Sequence, residues 1–489
     1  MPPARIQFPH HYRSLDPAIR RELVDHAAGD GFPLAGLLYL PPRGEPDTVV
    51  VAMHPRVDFA RHYLAPRVAA AGYAFLGTAS RYLNNDADML HERVLLDVAG
   101  TVGYLRERGF RTVVLLGNSG GGSLFAFYLQ QSSRALGERL RHAPSGDAVP
   151  LHQIDLPGAD GFILLAAHLG EGRFLLDRLD PSLVDESDSV ATDPRLDMYD
   201  PRNGYRPMRE GPSSYSASFL EDFRAAQQAR CQRLDARALE WCEEARWHRR
   251  RLGVAEDVAR ISAGERTRLA RLALQRRYFL IYRTLADPRY LDPKLDSSQR
   301  PLGSIFSFGR DPVVGNYGEG LARAMSARGW LSTWSGLTSN AALERTLPGV
   351  TIPTLVVCAL ADMDIYPSEC RLSLDASGAQ DKQWAELPWA GHYLHPVGQT
   401  GAELPHPQDR VADEMILPWL RQRWPVYRRR ASTRCRHRRH RPVGVLETPR
   451  RHRGGGGSHG HRRRARRRRP HAGRRRRAMP LRHRIDHDR

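Results

Sequence analysis

Short β-branched runs alternate with helix-period stretches through residue 167, and this alternation restricts the fold more than any other feature of the sequence. Residues 22–28 and 34–40 flank Asp30-Gly31 and read as a hairpin. Residues 48–53 form a buried strand, 59–71 a helix stopped by Gly72, and 73–78 another strand. Within 88–108, Leu90, Val94, Val98, Val102 and Leu105 share one helical face, and Gly109 ends the pattern. Residues 112–116 are a strand that enters a glycine-rich turn, followed by a helix over 123–131 and a strand over 161–167. Strands this apolar are covered on both faces, which predicts a mostly parallel sheet between layers of helices.

The rhythm then breaks. Residues 169–328 carry few strand signals but two helical stretches, which Ser218-x-x-Glu221 and Ser262-x-x-Glu265 open as capping boxes. Phe219, Phe223, Leu234, Leu269, Leu272, Phe279 and Tyr282 supply apolar stripes suited to core packing. Strands return over 351–358 and 383–387, and a helix over 410–423 closes the pattern. The chain divides into a first core part (1–168), a helical cap inserted after the sixth strand (169–328), a second core part (329–427) and a tail (428–489). The sheet has about eight strands in this reading.

The formal charge of +20 suggests nucleic acid until it is located. Residues 428–489 hold 25 Arg against Glu447, Asp486 and Asp488, a net of +22, and leave the body at −2. The tail lacks apolar period, so it cannot offset its ordering entropy and is expected to be disordered. Two origins stay open: a tether for anionic surfaces or nucleic acid, or the out-of-frame end of a GC-rich gene, which accounts better for its Arg, His and Gly text. No apolar run is long enough to cross a bilayer, and residues 1–15 show no secretory h-region. Five cysteines without metal-ligand spacing read as reduced thiols of a cytoplasmic protein. Asp197, Asp200 and Asn203 have the wrong spacing for an EF-hand and read as a structural loop.

Gly117-Asn118-Ser119-Gly120-Gly121 fits G-x-S-x-G between a strand and a helix, the setting in which a tight elbow presents a serine hydroxyl. It does not match a phosphate loop, since no Lys-Ser/Thr follows. A serine nucleophile needs a base, and the base an orienting acid. Asp362 follows one late strand, and His392 follows the next. Asp364, His395 and His406 are rivals, the two histidines weakened by their Pro-rich surroundings. The oxyanion would be held by the amide of Gly120 and by one from the loop after 48–53. Pro55 has no N–H, so that second donor is Arg56 or, second in rank, Val57, and His54 shapes the loop.

Taken together, Gly117–Gly121, His54-Pro55, the Asp362 loop and Gly391-His392 resemble the α/β-hydrolase superfamily over about residues 20–425. Ala166-Ala167-His168-Leu169-Gly170, the stretch 197–204, Trp330-Leu331-Ser332-Thr333-Trp334 and 361–368 resemble uncharacterised bacterial members with a large helical cap. By that resemblance Asp362, rather than Asp364, matches the acid position. Pro55 departs from the usual His-Gly.

The expectation is therefore a serine hydrolase: Ser119 the nucleophile, His392 the base, Asp362 the orienting acid, and the amides of Gly120 and Arg56 the oxyanion hole. It needs no cofactor and no metal. Its substrate is a small to medium ester, with an apolar portion suggested by Trp330, Trp334 and the cap's other aromatic residues. Amide, thioester or C–C bond hydrolysis and acyl transfer could use the same set. A binding protein with a basic, non-specific nucleic-acid tail is the alternative of another class. No membrane partner is expected, and self-association stays open.

Overall fold

A computed structural model of the chain describes residues 10–304, 311–398 and 404–426. The hairpin strands are β1 (Arg20–Ala27) and β2 (Pro33–Leu40), followed by β3 (Thr48–His54), helix α1 (Ala65–Ala70) and β4 (Ala74–Ala79). Next come α2 (His91–Glu107), β5 (Thr112–Asn118), α3 (Gly120–Ser132) and β6 (Gly161–Leu165). The chain then leaves the sheet for α4 (Glu171–Leu176), α5 (Ala217–Gly253), α6 (Ala255–Ala259) and α7 (Ala263–Leu274). A two-stranded ribbon, β7 (Tyr278–Leu280) with β8 (Ala324–Ser326), belongs to the same excursion. The chain returns through β9 (Thr354–Ala359) and β10 (Lys382–Leu387).

Eight of these strands form one sheet in the order β1-β2-β4-β3-β5-β6-β9-β10. Only β2 runs against its neighbours; every pair from β4 to β10 is parallel. This is the α/β-hydrolase fold. The period of two along each strand divides the core. Val49, Val51 and Met53 join Val113 and Leu115 on the face covered by α2 and α3. Val50, Ala52, Val114 and Leu116 meet Leu64, Val68 and Trp419 on the other. Both faces are therefore dry, as the unbroken apolar runs require.

The strand order reverses between β3 and β5, whose carboxyl ends then border a crevice, the usual place for a site in an open parallel sheet. His54 ends β3, and Ser119 follows β5.

Two local expectations are corrected. The helix predicted over 59–71 spans only Ala65–Ala70. Asp58 Oδ1 takes the Ala60 N–H at 2.8 Å and holds a turn there, and Pro66 fits the first turn of a helix, where its missing N–H would have no partner in any case. Ser218 is not the cap of α5; Ser216 is, accepting the Phe219 N–H at 3.1 Å with extended backbone, while Ser218 lies inside the helix. Position N3 is then Phe219, so no capping box forms there. Ser262 does cap α7, bonding the Glu265 N–H at 3.2 Å.

Of the stripe residues, Phe219 and Phe223 bury against Tyr290 and Leu291, Leu234 and Phe279 pack with Trp330 and Trp334, and Leu269 is buried, whereas Leu272 and Tyr282 are only half-buried. In the loop 197–204 the polar side chains serve their own backbone. Asp197 and Asp200 accept from the amides of Tyr199 and Arg202, and Asn203 donates to the carbonyls of Pro194 and Asp197. Among the described residues no helix is long and apolar enough to cross a membrane. Cys435 and the tail 428–489, with its expected disorder, lie outside the described residues.

Candidate active site

Ser119 sits at a turn too tight for most residues, with φ 56° and ψ −127°. Close backbone approach explains the glycines beside it. A Cβ on Gly117 would meet Gly122 Cα at 2.5 Å, and one on Gly121 would meet the Met53 carbonyl oxygen at 2.5 Å. Asn118 anchors the elbow from within the core, donating to the Leu165 carbonyl at 2.9 Å and accepting from the Tyr63 hydroxyl at 3.1 Å.

The structure brings three of the predicted residues into one hydrogen-bonded line. His392 Nε2 lies 2.8 Å from Ser119 Oγ, and His392 Nδ1 lies 2.8 Å from Asp362 Oδ2. The carboxylate can only accept, so the imidazole carries its proton on Nδ1 and offers Nε2 to the serine hydroxyl. Asp362 is held in turn by the amides of Asp364 and Ile365 on Oδ1, at 2.9 and 3.1 Å. Burial opposes protonation of His392, but the Asp362 carboxylate outweighs it and lifts the imidazole above its ordinary value.

The rivals are employed elsewhere. Asp364 accepts from the Tyr290 hydroxyl at 2.5 Å and faces the Arg178 guanidinium at 3.7 Å. His406 caps the short helix Pro407–Arg410 through its Nδ1. The His395 carbonyl accepts the Gly391 N–H at 2.9 Å, and its ring packs against Gly391, directly before His392.

Gly120 opens α3, so its N–H has no intrahelical acceptor and points out of the helix N-terminus. The amides of Arg56 and Val57 both close on His54 Nδ1, each at 3.2 Å. Pro55 thus leaves a loop whose two donors are gathered on one imidazole. Burial and the nearby Arg56 charge keep that imidazole well below its ordinary value, hence neutral and accepting. The Arg56 side chain stacks on Trp334, 5.1 Å from the ring centroid, and its Nε reaches Glu171 Oε1 at 3.4 Å.

Ser119 and His392 open on a cavity of about 130 Å³. Val57, Phe174 and Leu321 form its apolar wall, and Arg56, His168, Glu171, Asp364 and Tyr393 its polar one. Trp330 and Trp334 do not line it; they pack with Leu175, Leu234 and Met325 inside the excursion. The apolar pocket expected from those tryptophans is therefore a mixed one. Glu171 and His168 were not singled out for chemistry from the sequence. The available signal was their position: His168-x-x-Glu171 directly follows β6, at the same sheet edge as Ser119.

No family model matches the chain, and neither does any curated protein. Among solved structures it is similar to the esterase domain of a Rhodothermus marinus protein, at 11% identity over 82% of this chain and 98% of that one, with a TM-score of 0.37. It is also similar to a thermophilic esterase from Thermogutta terrifontis, at 15% identity over 82% and 98%, TM-score 0.35. A third is a monoacylglycerol lipase of Paleococcus ferrophilus, at 13% identity over 79% and 98%, TM-score 0.35.

Proposed function

We propose that the chain is a serine hydrolase of the α/β-hydrolase superfamily that cleaves a carboxylic ester through an acyl-enzyme on Ser119. The observation that carries this reading is the pair of 2.8 Å contacts that join Ser119, His392 and Asp362 in one buried line. Ser119 Oγ attacks the ester carbonyl carbon while His392 Nε2 takes its proton, and Asp362 stabilises the imidazolium that results. The tetrahedral oxyanion collapses, and the alcohol leaves with the proton from His392. Water then attacks the acyl-serine with His392 again as base, which releases the acid and restores the serine.

The oxyanion falls to the Gly120 amide, aided by the positive end of α3. Arg56 supplies the second amide. In the resting site that amide bonds the neutral His54 ring, a weaker acceptor than a charged oxygen, so an oxyanion arriving at Gly120 competes for it successfully. Val57, whose amide is held the same way, is the nearest substitute.

The stretch 169–328 of the excursion serves as the cap in this reading, with 1–168 and 329–427 as the core it covers. Phe174 and Leu321 come from it and close one side of the cavity. A cavity of about 130 Å³ suits a short acyl group rather than a long chain. Acyl transfer and C–C bond hydrolysis remain open to the same residues, since fold and triad do not choose the acceptor. Turnover of short p-nitrophenyl esters by the full chain, and its loss in Ser119→Ala, tests the proposal.

A further inference from the structure

The cavity wall includes a buried carboxylate oxygen without a hydrogen-bond partner. Glu171 is 1% exposed, its Oε1 is engaged by Arg56, and its Oε2 has no hydrogen-bond partner. Leaving a buried carboxylate oxygen unpaired is costly, so a partner that donates a hydrogen bond to it would be favoured. His168 Nε2 faces it at 3.7 Å, too far to bond it directly. His168 Nδ1 accepts the Gly170 N–H at 3.2 Å, so a neutral ring carries its proton on Nε2. Burial, with the charges of His392 and Arg56 behind it, holds His168 well below its ordinary value and so keeps it neutral. The wall therefore presents an acceptor and a donor separated by one small gap.

We propose that Glu171 Oε2 and His168 Nε2 together bind a hydroxyl group on the acyl portion of the substrate, so that the preferred substrates are short hydroxyacyl esters. The inference rests on the serine-hydrolase reading of Ser119. A hydroxyl is the small group that can donate to the carboxylate and accept from the imidazole at once. An ammonium has no lone pair for His168, and a carboxylate would be repelled by Glu171. Arg56 already balances the charge of Glu171, so a neutral guest leaves the pocket neutral. The place is close to the reaction: a Cβ on Gly120 would lie 2.5 Å from Glu171 Oε1, so the carboxylate abuts the residue after the nucleophile. The hydroxyl then belongs on the α or β carbon of the acyl chain.

The test compares kcat/KM of the full chain for p-nitrophenyl lactate and β-hydroxybutyrate with that for the parent propionate and butyrate esters. At least one hydroxylated ester should exceed its parent by about tenfold or more. In Glu171→Met and in His168→Phe that ratio should fall to within about twofold of one, whatever the absolute rates. Where a variant does not fold, the free acids decide on the unaltered chain: the hydroxy acid should protect Ser119 from a fluorophosphonate about tenfold better than its parent. Ratios at or below one in a protein whose Ser119 does react with the fluorophosphonate, or ratios unchanged in folded variants, overturn the hydroxyl site alone. A Ser119 that does not react overturns it together with the reading beneath it.

Discussion

Asp362 and Asp364 stand two residues apart and serve different partners: Asp362 accepts from His392 at 2.8 Å, whereas Asp364 accepts from Tyr290 at 2.5 Å and faces Arg178. Both follow β9 and both are buried, so composition and position alone do not separate them.

Substitution should separate them. Asp362→Asn presents an amide to His392 and favours the wrong tautomer, which should lower kcat by roughly 10³–10⁴. Asp364→Asn should cost far less kcat while lowering the melting temperature, because it leaves Arg178 buried with less compensation. Steady-state kinetics on both folded variants decide the matter. The opposite ranking would move the orienting acid to Asp364.

The pH profile of kcat/KM should have a single acid limb set by His392. The base works only when neutral, and Asp362 raises its proton affinity above the ordinary histidine value. Activity should therefore be full above the raised value and fall as pH drops through it. His54 and His168 are held well below their ordinary values and should add no limb near neutrality. In Asp362→Asn the limb should move to lower pH along with the drop in rate. A limb that stays in place would mean that another group titrates.

Gly117→Ala tests whether the elbow depends on close packing. The added methyl would sit 2.5 Å from Gly122 Cα, with only backbone to yield. Overpacking of this kind should cost about 1–3 kcal/mol and displace Ser119. Thermal melting and esterase rates should fall together. Unaltered melting would show that the turn relaxes freely.

Much of this molecule could be read in its sequence, for physical reasons. The stretches 49–53 and 113–116 are apolar at every position because both faces of the sheet are dry. The serine elbow carries its own local signature, and His392 and Asp362 each follow a strand whose carboxyl end faces the same crevice. Ser216 was missed as a cap because Ser218-x-x-Glu221 has the right spacing two residues later, and spacing alone does not reveal which serine adopts extended backbone. The pairing of Tyr278–Leu280 with Ala324–Ser326 joins three-residue strands far apart in the chain, too short for a period to show. Glu171 escaped notice for another reason. One carboxylate on a short helix has no pattern, and only folding brings it beside Gly120 and Arg56.

Truncation at Tyr427 should leave the activity intact, because every residue placed at the site precedes residue 394. It should also abolish salt-sensitive retention on heparin, since the +22 of residues 428–489 is removed and the remaining −2 cannot hold a polyanion. Heparin retention by the shortened chain would place a basic surface on the body instead.

The most direct measurement is mass spectrometry of the full chain after reaction with a fluorophosphonate, with the adduct located by peptide mapping. One adduct on Ser119 is expected, absent in Ser119→Ala and much slower to form in Asp362→Asn, together with loss of esterase activity in proportion to labelling. An unlabelled Ser119 in a folded chain, or esterase activity that survives complete labelling or the Ser119→Ala change, would contradict the account.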